Sequence, residues 1–331
     1  MSKKILITGG AGFIGLHLAN RLLSEGHKVH IIDNLARAVF DKEMEETIKN
    51  QNIEFSNLDL LSKESLDVLD KDFDYIFHLA AIIGVKHVLD RPYSVLYDNL
   101  IMFGNIIDFC HKQKKLSRLF FASTSEIYAG ALKHFDLPIP TPENTPLGLT
   151  DLSHPRTSYM LSKIYGETLC HHSKLPFTIF RPHNVYGPRM GMSHVIPEQL
   201  YKSYKAKEGD HIEVFSPSHT RCFCYIDDAI EMLFRMMCSS ECSGKALNLG
   251  TENPEVTMRD VAKICFSVVG KKLIIDEKPP SPGSPKRRAP DMTITSTLIN
   301  FESQVSLDFG VLSTFKWYKE NIFEGNNITA K

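Results

Sequence analysis

The chain has 331 residues, 43% hydrophobic and 23% charged, the balance of a globular protein with room for one large domain or two modest ones. A net charge of −1 excludes a general attraction to nucleic acid or to an anionic membrane, and no apolar run is long enough to span a bilayer. The opening "MSKKILITGG" lacks the apolar stretch of a secretory signal, and the seven cysteines are odd in number and scattered, so a cytoplasmic protein with reduced thiols is expected. Neither Cys222/Cys224 nor Cys238/Cys242 has a zinc-site spacing, so no metal is expected.

In chain order, "KILITG" (4–9) reads as a first strand and "FIGLHLANRLLSEG" (13–26) as an amphipathic helix that stops at a glycine. Further strands are expected at 28–34, 53–60, 75–81, 118–124 and 177–187, with helices between them at 62–69, 93–113 and 158–172. Strands alternating with helices give a parallel, doubly wound α/β sheet of the Rossmann type. After Gly187 the stretch 188–225 is mixed and loop-rich. A helix over 226–240 and a strand over 246–250 return to the sheet. The Pro-rich basic stretch 279–291 is a loop, and 309–323 a closing helix. The expected division is a cofactor domain, 1–187 with 226–250, and a smaller substrate domain from 188–225 and 251–331.

The loop "TGGAGFIG" (8–15) joins the first strand to the first helix and spaces Gly9, Gly12 and Gly15 by three. Gly9 suits the tight turn, Gly12 lets the backbone approach a pyrophosphate, and Gly15 allows helix to pack on sheet. Phosphates then sit at the helix N-terminus. Asp33, at the end of the second strand, can accept from both ribose hydroxyls and repels a 2′-phosphate, which favours NAD over NADP. Arg37 stands close enough to soften that preference, although a solvated surface arginine is the favoured reading. Asp59, ending the third strand, suits the adenine side or a helix N-cap.

Tyr159 and Lys163 in "SYMLSKIYGE" share one helical face, an arrangement for hydride chemistry. A neighbouring ammonium lowers a phenol's pKa, so that Tyr159 can take the proton of an alcohol whose hydride leaves. "RLFF" (118–121) looks like core, yet "STSE" (123–126) ends that strand with three hydroxyls and a carboxylate.

With "HLAA" (78–81), Asn99, "STSEIY", "RPHNVYGPR" (181–189), "TRCFCYIDD" (220–228) and "RRAPD" (287–291), the chain resembles an extended short-chain dehydrogenase/reductase of the nucleotide-sugar epimerase, dehydratase and decarboxylase branch. The resemblance spans nearly the whole chain. It implies NAD as cofactor, lined by Phe13, Ile14, Asn34, Leu60, Leu79, Ala80, Ala81 and Asn99 in addition to the residues above. It implies that Thr124, four before Tyr128, bonds the sugar's 4-hydroxyl. Ser125 and Glu126 match the decarboxylases of UDP-glucuronate, as do Pro155, Arg156 and "GPRM" (187–190). Lys86, in "GVKHVLDRP", instead matches UDP-glucuronate 4-epimerases and can pair with a sugar carboxylate. Arg221 and Arg288 match diphosphate-binding arginines, Asp291 a ribose position, and Asn184 and Arg189 further substrate contacts. His78 and His183 read as structural.

Decarboxylation of UDP-glucuronate is narrowly favoured, with C4 epimerisation close behind, then 4,6-dehydration, and a non-catalytic NAD-binding scaffold last. The insertion 129–154 is longer than in many relatives. The resemblance also implies a homodimer through the helices at 93–113 and 158–172.

Overall fold

The computed structural model of the chain describes residues 2–135, 137–280 and 284–324. Seven parallel strands form one sheet: β1 (Lys4–Thr8), β2 (Lys28–Asp33), β3 (Ile53–Asn57), β4 (Tyr75–His78), β5 (Arg118–Ala122), β6 (Phe177–Pro182) and β7 (Lys245–Leu249). Their spatial order is 7-6-5-4-1-2-3, so strand order reverses between β1 and β4, the point where such sheets bind ligands. The expected Rossmann sheet is present, including the late return of β7 to its edge.

Both faces are covered, which is why the strands are apolar throughout rather than alternating with polar residues. Leu6, Ile32, Ile76, Leu119, Phe121 and Ile179 point to one face. They pack against Met102, Phe103 and Ile106 of α2 (Pro92–His111) and Cys170 of α3 (Arg156–His172). Ile5, Ile7, Ile31, Phe77, Phe120 and Leu247 point the other way, with Phe77 stacked on Phe120 at 4.3 Å. That side is closed by α1 (Phe13–Ser24) and α4 (Ile226–Cys238).

Three expectations shift. The helix expected at 62–69 is a single 3-10 turn, Glu64–Val68, because hydroxyl and carboxylate groups on either side hold the chain in local turns: Ser65 Oγ donates to the Asp59 and Ser62 carbonyls. The strand expected over 177–187 breaks after Pro182, and Val185–Tyr186 pairs instead with Cys224–Tyr225. The region 188–225 contains a helix (Val195–Lys205), and another runs over Met258–Val269, capped by Thr257 and ended by Gly270 at φ +78°. Besides that Val185–Tyr186 pairing, two further small sheets lie beyond the main one. One pairs His211–Phe215 with Ile274–Lys278. The other joins Thr220–Arg221 to Val256–Thr257 and to Arg287–Arg288.

No helix among the described residues is long and apolar enough to cross a membrane, and no group of three His, Cys, Asp or Glu among them could hold a metal ion.

Candidate active site

The glycine loop after β1, the segment 79–82 after β4 and Ser123–Tyr128 after β5 all leave the carboxyl edge beside the reversal point. Gly9 takes φ +67°, and a Cβ there would lie 2.8 Å from the Ala80 nitrogen. A Cβ on Gly15 would lie 2.4 Å from the Gly9 carbonyl, so only glycine lets α1 start this close to β1. No side chain caps α1, which leaves the N–H groups of its first turn, at Phe13, Ile14 and Gly15, free for an anion. At the end of β2 the Asp33 carboxylate accepts from Ala11 N at 3.2 Å and Leu35 N at 2.8 Å. Burial raises its pKa, and those two donors and Arg37 oppose the rise.

Asn99 holds the opposite wall. Its Oδ1 accepts from Ile82 N at 2.7 Å, and its Nδ2 donates to the Ile82 carbonyl and to Ser162. Its amide is thus committed to shaping the loop that carries Leu79, Ala80 and Ala81. Asp59 is exposed and closes a turn by accepting from Leu61 N, while Leu60 beside it is buried; Asn34 is exposed and accepts from Ala36 N. His78 lies within 2.9 Å of the Thr8 hydroxyl and stacks on Phe103 at 5.0 Å; burial pushes its pKa down to about 3. The uncapped helix start, the glycine cradle and the Asp33 carboxylate together fit NAD.

On the catalytic side, Gly166 brings α3 against β5, since a Cβ there would lie 2.2 Å from Phe121 Cζ. That approach lets Lys163 Nζ donate to the Ala122 carbonyl at 2.8 Å. Lys163 is 4% exposed, and burial lowers its pKa to about 8. Its ammonium stands 5.8 Å from the centre of the Tyr159 ring. The expectation of a lowered Tyr159 pKa is not met. Desolvation, then the Glu126 carboxylate, push the phenol up, and only the Thr124 hydroxyl bond and Arg37 oppose them. Tyr159 therefore rests protonated, with Thr124 already hydrogen-bonded to it. Thr124 also caps the turn Ser125–Tyr128 by accepting from Glu126 N at 3.2 Å. Ser125 is buried within that turn.

Glu126 pairs with Arg288 at 2.9 Å. The Arg288 charge holds its carboxyl below the usual range, with Arg156 and Arg221 acting in the same direction. Arg288 and Arg221 are direct partners in the small parallel pairing, so two guanidinium groups stand side by side. Burial and Arg288 together lower the pKa of Arg221 to about 10, and its head group donates to the Thr220 and Pro285 carbonyls and to Ser284. Asp291 accepts from Thr293 N at 2.9 Å, closing a turn at the start of the following helix. Asn184, at φ +43°, donates to the Cys222 carbonyl at 3.0 Å and lines a small cavity with His194, Val195 and Phe223. The side chain of Lys86 lies outside the described residues.

Arg189 departs from expectation. Its guanidinium is bound to Asp41 and to the carbonyls of Ala11 and Val39 rather than standing among the substrate arginines, because that buried ion pair satisfies it. Arg37 was the easier residue to underrate. Part of it remains exposed, yet its charge reaches both Asp33 and Tyr159. Its spacing from Asp33 was the sole clue.

Behind the site lies a buried polar network. Arg181 donates to both oxygens of Glu167, one turn beyond Lys163, at 2.9 and 2.7 Å. Glu167 also accepts from Ser123, and Arg181 reaches Tyr128 and the Glu143 carbonyl. The insertion 129–154 is tied in here: Thr141 exchanges backbone bonds with Ala289 and Asp291, and Glu143 accepts from Asn248 N. The insertion thus braces the loop that carries Arg288. His183 contacts Asn248 at 3.1 Å and is held neutral by burial, a structural residue like His78.

Fold and site together define a Rossmann-type dehydrogenase with a Tyr/Lys pair. Residues 5–250 match the NAD dependent epimerase/dehydratase family, and the chain belongs to that family. It is 34% identical to the UDP-N-acetyl-α-D-glucosaminuronate decarboxylase of Bacillus cytotoxicus, over 97% of this chain and 99% of that one. It is 30% identical to UDP-glucuronic acid decarboxylase 1 of Danio rerio, over 98% of this chain and 75% of that one. Among solved structures, the UDP-glucuronic acid 4-epimerase of Bacillus cereus, in complex with UDP-glucuronic acid and NAD, superposes with a TM-score of 0.81 at 26% identity, covering 96% and 99% of the two chains. The chain is an NAD-dependent enzyme of this family.

Proposed function

We propose that the chain decarboxylates a UDP-linked hexuronate, UDP-glucuronate or its N-acetylglucosamine counterpart. NAD, bound at the glycine loop and Asp33, supplies reversible hydride acceptance at C4, and so makes the C5 carboxylate a β-keto acid. Tyr159 takes the 4-hydroxyl proton, and Thr124 orients that hydroxyl. Lys163 supplies positive charge behind them. Since the resting phenol is held protonated by burial and Glu126, Tyr159 becomes a base only as the cleft gains further positive charge.

The observation that carries the choice is the Glu126–Arg288 ion pair with Arg156 and Arg221 around it. Three cations for one carboxylate leave the pocket net positive, which suits a substrate with both a diphosphate and a carboxylate. We assign Arg221 to the diphosphate, and Arg288, held in place by the ionised Glu126, to the sugar acid; the proton returned at C5 comes from solvent. Loss of carbon dioxide needs the sugar held in one pose. A 4-epimerase must turn its sugar over, and a locked ion pair beside Tyr159 hinders that. The near-full-length likeness to a decarboxylase supports the same choice.

C4 epimerisation of a UDP-hexuronate is the second reading, supported by the likeness to the Bacillus cereus enzyme. Incubation with UDP-glucuronate, UDP-N-acetylglucosaminuronate and UDP-glucose, read by mass spectrometry, separates them. Loss of carbon dioxide from a uronate supports decarboxylation. Unchanged mass with an inverted C4 overturns it.

A homodimer through α2 and α3 is part of the proposal. Tyr93 and Tyr97 on α2 stack on each other 5.7 Å apart and are exposed, as is Tyr165 on α3. Exposed aromatic side chains on two packed helices suit a symmetric interface.

A further inference from the structure

Arg189 sits at φ +66° in the turn after Gly187, and its guanidinium closes a circuit around the cofactor loop. Its Nε donates to Asp41 Oδ2 at 2.9 Å and lies 3.6 Å from Glu43 Oε2. Its Nη1 reaches the Ala11 carbonyl at 3.4 Å, and its Nη2 the Val39 carbonyl at 3.3 Å. The side chains of Arg189 and Asp41 are 5% and 10% exposed, so water does not replace either partner when the other is removed.

These contacts fix the segment 34–41. It leaves β2 at Asp33, whose carboxylate accepts from Ala11 N, and ends at Asp41, whose Oδ1 caps the helix Lys42–Thr47 by accepting from Met44 N at 2.9 Å. The two backbone groups of Ala11 are therefore both taken: its N–H by Asp33 at one end of the strap, and its carbonyl by Arg189, which holds Asp41 at the other end. Between those ends stands Arg37, its charge within reach of Asp33 and Tyr159, so the strap runs along the cleft from the ribose-side carboxylate towards the catalytic tyrosine. On the outer side Trp317, the only tryptophan, donates to Glu43, and the Tyr318 hydroxyl bonds the Met190 carbonyl next to Arg189. The closing helix, Leu307–Tyr318, thus backs the same clamp.

We propose that Arg189 is a positioning residue for NAD: through Asp41 it fixes the 34–41 strap to the glycine loop, and so sets how tightly the chain retains its cofactor. The proposal rests on NAD occupying this cleft and is independent of which sugar is turned over. An enzyme that takes up and gives back one hydride per cycle gains from not releasing the cofactor between the two halves.

The test uses full-length protein without any sugar. NAD content as purified and NAD affinity after stripping are measured for the wild type, Arg189→Gln, Asp41→Asn and the double variant, with Trp317 emission followed during NAD titration. Asp41→Asn keeps an acceptor for the helix cap, so it decides the matter if Arg189→Gln does not fold. Each single variant is expected to weaken NAD binding roughly tenfold, an ordinary size for coupling between linked sites. The double variant is expected to be no weaker than the worse single one, and the NAD-dependent change in Trp317 emission to be lost. Folded variants with unchanged NAD affinity overturn the proposal. So does, in a separate turnover assay with the UDP-hexuronate, a fall in kcat or a rise in sugar KM in a variant whose NAD affinity is intact, which would return Arg189 to the substrate.

Discussion

Glu126 and Arg288 are 162 residues apart in the chain and meet in a 2.9 Å ion pair at the end of β5. Two unrelated stretches, "STSE" and "RRAPD", are joined there into one device, a carboxylate kept ionised and a cation kept in place near Tyr159. Removing one partner separates the reading of a sugar-acid site from that of a structural bridge. Glu126→Gln is expected to lower kcat/KM for the uronate about 10- to 100-fold, the range for a lost hydrogen bond to a charged group, as Arg288 loses its partner, while NAD binding persists. Product formation at the wild-type rate would remove Glu126 from the chemistry.

Lys163 gives a pH signature in the NAD-stripped protein. Its folded pKa, about 8, lies below the ordinary 10.5, so between these values the unfolded chain binds the additional proton. Stability must therefore rise with pH over that window, and the full penalty is present below pH 8. Lys163→Met is expected to stabilise the stripped protein at neutral pH by up to roughly 3 kcal/mol, an advantage that fades as pH rises towards the unfolded value. Denaturant melts across the window check the sign. A destabilised Lys163→Met at neutral pH would contradict the burial argument.

Gly166 tests how the lysine is delivered. A methyl group at this position meets Phe121 at 2.2 Å, a rigid buried ring, so Gly166→Ala must push α3 away from β5. The expected costs are about 1–3 kcal/mol of stability from overpacking and a loss of activity larger than any loss of NAD affinity. Equal stability and equal turnover would show that Lys163 needs no such approach.

The dimer proposal is tested at Tyr97, half-exposed on α2 and remote from the cofactor loop in sequence. Tyr97→Glu is expected to convert a dimer to a monomer in light scattering at micromolar protein. A monomeric wild type would refute the proposed interface outright.

The parts of this molecule legible in sequence were those whose information is local. The glycine spacing, Asp33, the Tyr159/Lys163 pair and six of the seven sheet strands each carry their signal within a few residues, and β7 was marked by a short apolar return after an amphipathic helix. What escaped depends on distant partners. Asp41 does not announce that it will bind Arg189, 148 residues later, nor Thr141 that it will brace Ala289 and Asp291. The pKa of Tyr159 went the same way. Spacing placed an ammonium near it, but desolvation and the Glu126 charge, known only from the folded cleft, raise the phenol's pKa against the Thr124 hydrogen bond and Arg37. The helix Met258–Val269 lay in a stretch to which the sequence reading assigned no element, although Thr257 and Gly270 mark both of its ends.

The central claim is most directly tested by running the reaction in heavy water with NAD and each UDP-hexuronate and reading the product by proton NMR and mass spectrometry. The account predicts a pentose product that has lost carbon dioxide, carries one solvent deuterium at C5, and keeps its C4 configuration. A product that retains its carboxylate, with C4 inverted and no deuterium at C5, would contradict it and make the chain a 4-epimerase.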